Sequence, residues 1–233
     1  MDRIVVISGA NRGIGREAAR QFVERRDTVV VTARRADQAG EVAAELNSTA
    51  ERERAVARRL DVTDQESIVD LATDLEDRFG RVDVLVNNAG IHYDDWQSAV
   101  DADLDVVREA LETNLFGAWM LSQHLLPLLR AARHGRIVNV SSELGSLAVM
   151  GGGAPAYKVS KVGLNALTRM LADELAGDGI LVNSVCPGWT ATDMGGPGGR
   201  PVAEGAAGIV WAADLPDGGP TGGLFRDGQP LPW

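Results

Sequence analysis

The sequence predicts an α/β fold of about seven parallel strands with helices on both faces, formed by a single domain over residues 1–233. Two observations predict it. Short apolar runs rich in β-branched residues recur along the chain, and a helical stretch separates each from the next. The residues suited to chemistry fall where those runs end, which is the edge at which such sheets bind ligands. With 45% hydrophobic and 24% charged residues the chain can bury one sizeable core, and no repeat or linker divides it.

Arg3–Ser8 (RIVVIS) reads as a buried strand. Gly9-Ala10-Asn11-Arg12-Gly13-Ile14-Gly15 follows at once, and Ile14, Ala18 and Phe22 then step by four along a helix. Strand, glycine turn and helix N-terminus make an anion site, with free N–H groups and the positive helix end directed at a pyrophosphate. The glycine spacing differs from the general dinucleotide fingerprint and lacks the GK[ST] of a nucleotide-triphosphatase loop. Asp27–Thr32 is the second strand. Arg34 lies nineteen residues past Gly15, where an NAD-binding fold carries an acid for the ribose 2′-hydroxyl. Arg34, with Arg12 in the turn, suits a 2′-phosphate, which favours NADP(H) over NAD(H), although Asp37 lies close by.

Ala36–Asn47 is expected as a helix and Arg54–Leu60 as a strand ending at Asp61-Val62, where the carboxylate could accept from an adenine amine. Thr63 and Glu66 have the spacing of a capping box opening a helix striped by Ile68, Leu71, Leu75 and Phe79. Val82–Val86 is the next strand, closed by Asn87-Asn88-Ala89-Gly90, where small residues admit a ribose and the amides can lock the loop. Asp101–Arg133 reads as mostly helical, with Pro127 its one strong breaker. Asn114 is the polar residue in LETNLFGAWML and must brace the backbone or hold a water. Gly135–Val140 and Ile180–Val185 are strands. Between them runs a helix faced by Leu164, Leu167, Leu171 and Leu175. A short helix (Val202–Ala213) and a final strand near Gly223–Arg226 complete the chain.

The chemistry centres on Ser142 to Lys161. Tyr157 and Lys161 are one helical turn apart, so their side chains share a face. A phenol is a poor acid–base group at neutral pH, an ammonium nearby favours its ionised form, and the hydroxyl of Ser142 can hold a carbonyl oxygen against it. Only Lys158 and Lys161 are lysines; the other 21 of the 23 basic residues are Arg. A compact amine is therefore kept where it differs chemically from a guanidinium.

The formal charge of −10 argues against nucleic acid. No run of eighteen apolar residues can span a membrane, and a strand pattern beginning at Arg3 leaves no room for a signal peptide. Cys186 is the only cysteine, so neither a disulfide nor a cysteine metal cage is expected, and His124 and His134 are too scattered to suggest a metal. A cytoplasmic protein acting on a small molecule is expected.

Together the motifs resemble the short-chain dehydrogenase/reductase family, and its carbonyl-reductase-like members in particular, over nearly the whole chain. Ser8 to Gly15 is similar to the family's TGxxxGIG turn, Asn87 to Gly90 to its NNAG, and Pro187-Gly188 to its strand-end PG. The resemblance implies a Rossmann-type fold and a catalytic tetrad of Asn114, Ser142, Tyr157 and Lys161. It implies cofactor contacts at Gly9, Asn11, Arg12, Gly13, Ile14, Gly15, Arg34, Asp61, Val62, Asn88, Ala89, Gly90, Tyr157, Lys161, Pro187, Gly188, Thr190 and Thr192. Tyr157 would protonate a carbonyl oxygen, Lys161 would lower the phenol's pKa, Ser142 would steady the alkoxide, and Asn114 would link a water chain to Lys161. His92, Leu144, Trp189 and Met194 are candidate walls of the substrate pocket. The fourteen residues between Ser142 and Tyr157 leave no room for the insertion that keeps some animal carbonyl reductases monomeric, so a homodimer or homotetramer is expected. The short, glycine-rich loop within 188–201 leads to the expectation of a mobile, open site. The alternative is a catalytically silent NADP(H)-binding sensor of the same fold, a class that usually loses the Tyr or the Lys kept here.

Overall fold

All four residues of β1 (Ile4–Ile7) are buried, and their side chains divide between two cores. Val5 and Ile7 pack with Phe22 of α1 (Gly13–Glu24), while Ile4 and Val6 pack with Ile68, Leu71 and Leu75 of α3 (Gln65–Phe79). The strand's two-residue period, applied to a sheet covered on both sides, makes its sequence uniformly apolar instead of alternating. The computed structural model describes residues 2–91 and 93–233; His92, a candidate pocket residue, lies outside the described residues.

β2 (Thr28–Ala33), β3 (Ala55–Arg59), β4 (Val84–Asn87), β5 (Arg136–Val140), β6 (Leu181–Val185) and β7 (Leu224–Arg226) join β1 in parallel, in the spatial order β3-β2-β1-β4-β5-β6-β7. The seven parallel strands match the expectation, and the fold is a doubly wound, Rossmann-type sheet. An antiparallel edge strand not anticipated from sequence, β8 (Gln229–Pro230), pairs with β7. α2 (Ala36–Ser48) and α7 (Val202–Ala213) join α1 on one face, while α5 (Gly117–Arg130) and α6 (Pro155–Glu174) join α3 on the other. The strand order reverses between β1 and β4, which opens a crevice at their carboxyl ends.

Two local expectations are corrected, the capping box and the proline break, and the mostly helical reading of 101–133 holds. α3 is capped by Asp64, whose side chain accepts from the Glu66 N–H, and not by Thr63; the Thr63 hydroxyl is engaged by Asp61 instead. Pro127 does not break α5, which runs on to Arg130. Leu121, Leu125, Leu128 and Leu129 are all buried on that helix, and burying them offsets the roughly 3 kcal/mol that an internal proline costs. The long helical region is α4 (Leu104–Leu111), a π-helical turn at Glu112–Phe116 and α5 in succession, and the widened turn carries Asn114.

Candidate active site

A single cleft of about 1180 Å³ runs across the carboxyl ends of β1, β2, β4, β5 and β6. Gly9, Asn11, Arg12, Gly13, Ile14 and Gly15 line it together with Arg34, Asp61 and Val62. Asn88, Ala89, Gly90, Ser142, Tyr157 and Lys161 line it as well, as do Pro187, Gly188, Thr190 and Thr192 and the pocket candidates Leu144, Trp189 and Met194. Of the site residues read from sequence and described here, only Asn114 is not part of the wall; it is 1% exposed behind it. Sequence reasoning missed Gln38, Glu143 and Asp95, which lack a motif, and Cys186, read only for its redox chemistry.

The glycine turn is shaped by what sits against it. A side chain at Gly15 would bring its Cβ to 2.4 Å from Asn88 Nδ2 and 2.5 Å from the Gly9 carbonyl, so only glycine fits. Asn88 Nδ2 donates to the carbonyls of Ser8 and Gly9, each at 2.9 Å, while the Ser8 hydroxyl accepts from the N–H groups of Asn88 and Ala89. The β1 and β4 loops are thereby locked together, as the Asn amides led one to expect. No side chain caps α1, which leaves its first-turn N–H groups for an anion.

At the end of β2, Arg34 is exposed and has no hydrogen bond or ion pair among the described residues. The competing acid is turned away: Asp37 pairs with Arg35, whose guanidinium holds its carboxyl below the usual range, and neither lines the cleft. Arg12 reaches across the mouth to Asp193 at 3.1 Å, with both side chains exposed. Asp61 Oδ1 accepts from the N–H and hydroxyl of Thr63, at 3.0 and 2.8 Å. The donor set fits an NADP(H) molecule: uncapped N–H groups and a free guanidinium for phosphates, and an acid for an adenine amine.

Ser142 ends the β5 run and opens a short 3-10 turn, its Oγ accepting from the Leu144 N–H at 3.1 Å. Tyr157 and Lys161 project from the first two turns of α6 into the cleft, with the Lys161 Nζ 5.6 Å from the Tyr157 ring centroid. Burial pushes the phenol up to about 12, which the facing Ser142 hydroxyl partly offsets, and it pushes the Lys161 amine down to about 8. Burial is therefore the dominant influence on the phenol, and the Ser142 hydroxyl the counterweight. The Asn114 amide braces the backbone of Ile91, accepting from its N–H at 2.8 Å and donating to its carbonyl at 3.0 Å, and it also donates to Ser160 Oγ.

The glycine-rich loop is tied to itself. Thr190 and Arg200 form a β-bridge, Trp189 Nε1 donates to the Gly195 carbonyl at 2.6 Å, and Thr192 Oγ1 accepts from the Gly195 N–H. A Cβ at Gly199 would lie 2.4 Å from the Thr190 carbonyl carbon, so this glycine serves close packing. Thr190 turns its own hydroxyl to the carbonyls of Pro187 and Gly188.

The short chain dehydrogenase family profile matches residues 3–200 of this chain. The chain belongs to the short-chain dehydrogenase family. It is accordingly an oxidoreductase. It is 35% identical over 192 residues to the 3-oxoacyl-(acyl-carrier-protein) reductase FabG of Vibrio harveyi, covering 82% of this chain and 75% of that one. It is 32% identical to NADPH carbonyl reductase 1 of Mus musculus, covering 99% and 98%. The NADPH-bound carbonyl reductase from chicken fatty liver superposes with a TM-score of 0.89 at 28% identity, covering 100% of this chain and 99% of that one. Among the described residues no helix is long and apolar enough to cross a membrane, and no group of His, Cys, Asp or Glu is placed to hold a metal.

Proposed function

We propose that this short-chain dehydrogenase is an NADP(H)-dependent carbonyl reductase, interconverting a ketone or aldehyde and its alcohol. The observation that carries the reading is the meeting of Ser142, Tyr157 and Lys161 in the same cleft as the free guanidinium of Arg34. Bound NADPH supplies the hydride. The Ser142 hydroxyl holds the substrate's carbonyl oxygen against the Tyr157 phenol, which gives it a proton as charge develops there. The Lys161 ammonium stabilises the phenolate left behind and would help to hold the nicotinamide ribose. Preference for NADP(H) rests on Arg34, assisted by Arg12 once it leaves Asp193, and on the absence of a carboxylate from the cleft wall at the end of β2.

Exposed apolar side chains at Phe116, Val159 and Met170 on the α5 and α6 side suit a homodimer or homotetramer, and a cytoplasmic location suits the cofactor. Oxidation of NADPH and NADH, followed by absorbance against a panel of ketones and aldehydes, tests the reading. NADPH-linked reduction that disappears in a folded Tyr157→Phe protein supports it. NADPH binding without turnover on any carbonyl would instead identify a silent sensor.

A further inference from the structure

α6, which carries Tyr157 and Lys161, begins without a cap of its own. Ala154, which precedes it, sits at φ +48°, a left-handed conformation unusual outside glycine, and it offers no side-chain oxygen. Pro155 in the first position has no N–H. The next two donors, the N–H groups of Ala156 and Tyr157, both go to Asp94, at 2.9 Å to Oδ2 and 3.0 Å to Oδ1. This carboxylate comes from the loop after β4 and is 0% exposed. Gln97 Nε2 adds a 3.2 Å bond to Oδ2, and no cation pairs with Asp94 among the described residues. A buried carboxylate is costly unless its charge is met, and here two main-chain donors and the positive end of α6 meet it.

The position of this contact gives it a bearing on the chemistry. Asp94 grips the main chain of Tyr157 itself. At its other end the loop is held by Asn114, which binds both the N–H and the carbonyl of Ile91. Between the two anchors Tyr93 meets the Tyr157 ring edge-on, with centroids 5.4 Å apart and planes at 81°. Lys158 secures the approach to the helix by donating to the carbonyls of Gly151 and Gly152.

We infer that Asp94 is a positioning residue for the reaction: by binding the N–H groups of Ala156 and Tyr157 it sets where the Tyr157 hydroxyl stands opposite Ser142. The inference rests on the proposed carbonyl reduction. Small displacements of a proton donor cost large factors in rate, so the effect is expected in turnover and not in cofactor binding.

Asp94→Ala and Asp94→Asn in the full chain test it through four measurements: kcat at saturating NADPH and ketone, the D2O solvent isotope effect on kcat, NADPH affinity by fluorescence, and amide hydrogen exchange at Ala156 and Tyr157. In Asp94→Ala, kcat is expected to fall about ten- to hundredfold, with a larger solvent isotope effect and NADPH affinity within about twofold of the parent. The two amides should lose protection. Asp94→Asn keeps one acceptor oxygen and should recover part of kcat, and it serves where the alanine variant does not fold. Lost protection with unchanged kcat would overturn the inference by making Asp94 a structural cap only. So would NADPH affinity falling in parallel with kcat, or amides that exchange freely in the parent. A parent protein that reduces no carbonyl would overturn the functional reading instead, and protection of the two amides would still report whether Asp94 holds the helix.

Discussion

The Lys161 ammonium donates to the Val140 carbonyl at 2.8 Å, so the amine beside the Tyr157 phenol is held by the last residue of β5 and, among the described residues, by no carboxylate. A main-chain carbonyl orients the amine without neutralising it. Burial then acts on both groups in the direction of their neutral forms, bringing Lys161 down to about 8 and Tyr157 up to about 12. These values set the order in which the two groups lose their protons.

On the proposed reading, reduction needs Tyr157 protonated and Lys161 charged. As pH rises, Lys161 loses its proton first, near 8, while Tyr157 keeps its own until about 12. The kcat/KM for carbonyl reduction should therefore be flat in the neutral range and fall above pH of about 8, since this profile reports the groups of the free enzyme. A pH series with NADPH and one ketone checks it; a rate climbing between pH 7 and 9 would contradict it.

Lys161 should also cost stability. Its folded value of about 8 lies below the ordinary 10.5, so the charged form is disfavoured in the folded protein. That cost is fully present below pH 8 and is relieved as pH rises from 8 towards 10.5, and the gap corresponds to about 3 kcal/mol. Lys161→Met removes the charge but also the charge-assisted bond to Val140, worth about 1.5–3 kcal/mol. The variant is expected to be inactive yet no less stable at pH 7, with a gain of about 0–1.5 kcal/mol read from urea unfolding.

Arg34 has no protein partner to lose among the described residues. Arg34→Ala should leave stability nearly unchanged and raise KM for NADPH about ten- to hundredfold, the equivalent of one charge-assisted hydrogen bond. KM for NADH should barely move. Arg12→Ala should have a smaller effect, because Arg12 must first leave Asp193. Paired NADPH and NADH titrations measure both, and equal losses for the two cofactors would refute the 2′-phosphate assignment.

Gly15 has no room for a methyl group, with Asn88 Nδ2 and the Gly9 carbonyl within 2.5 Å of where its Cβ would stand. Gly15→Ala should push these groups apart, cost about 1–3 kcal/mol in thermal or denaturant unfolding and weaken NADPH binding. Gly40→Ala, with nothing within 4 Å, is the matched substitution expected to leave binding unaltered.

Much of this site was legible in the sequence because its parts are local. The glycine turn, the NNAG loop and the Tyr157–Lys161 pair each lie within a few residues, and strand or helix periodicity carries them to the cleft unaided. The capping box at Thr63 and the break at Pro127 failed for a related reason, since each weighs a local preference against partners the sequence does not display. Asp61 claimed Thr63, and a buried leucine face carried α5 past its proline.

Asp94 was invisible in the sequence, because the N–H groups it binds lie 62 and 63 residues further along the chain and no spacing rule connects them. Residue order alone determined the alternation of strands and helices, the edge on which the ligand-binding groups gather, and the phenol–amine pair. Only the tertiary structure decided which carboxylate caps α6, that Asp37 turns to Arg35 and leaves Arg34 free, and how far burial moves Tyr157 and Lys161. Those outcomes depend on distance and on exclusion of water, and neither exists until the chain has folded.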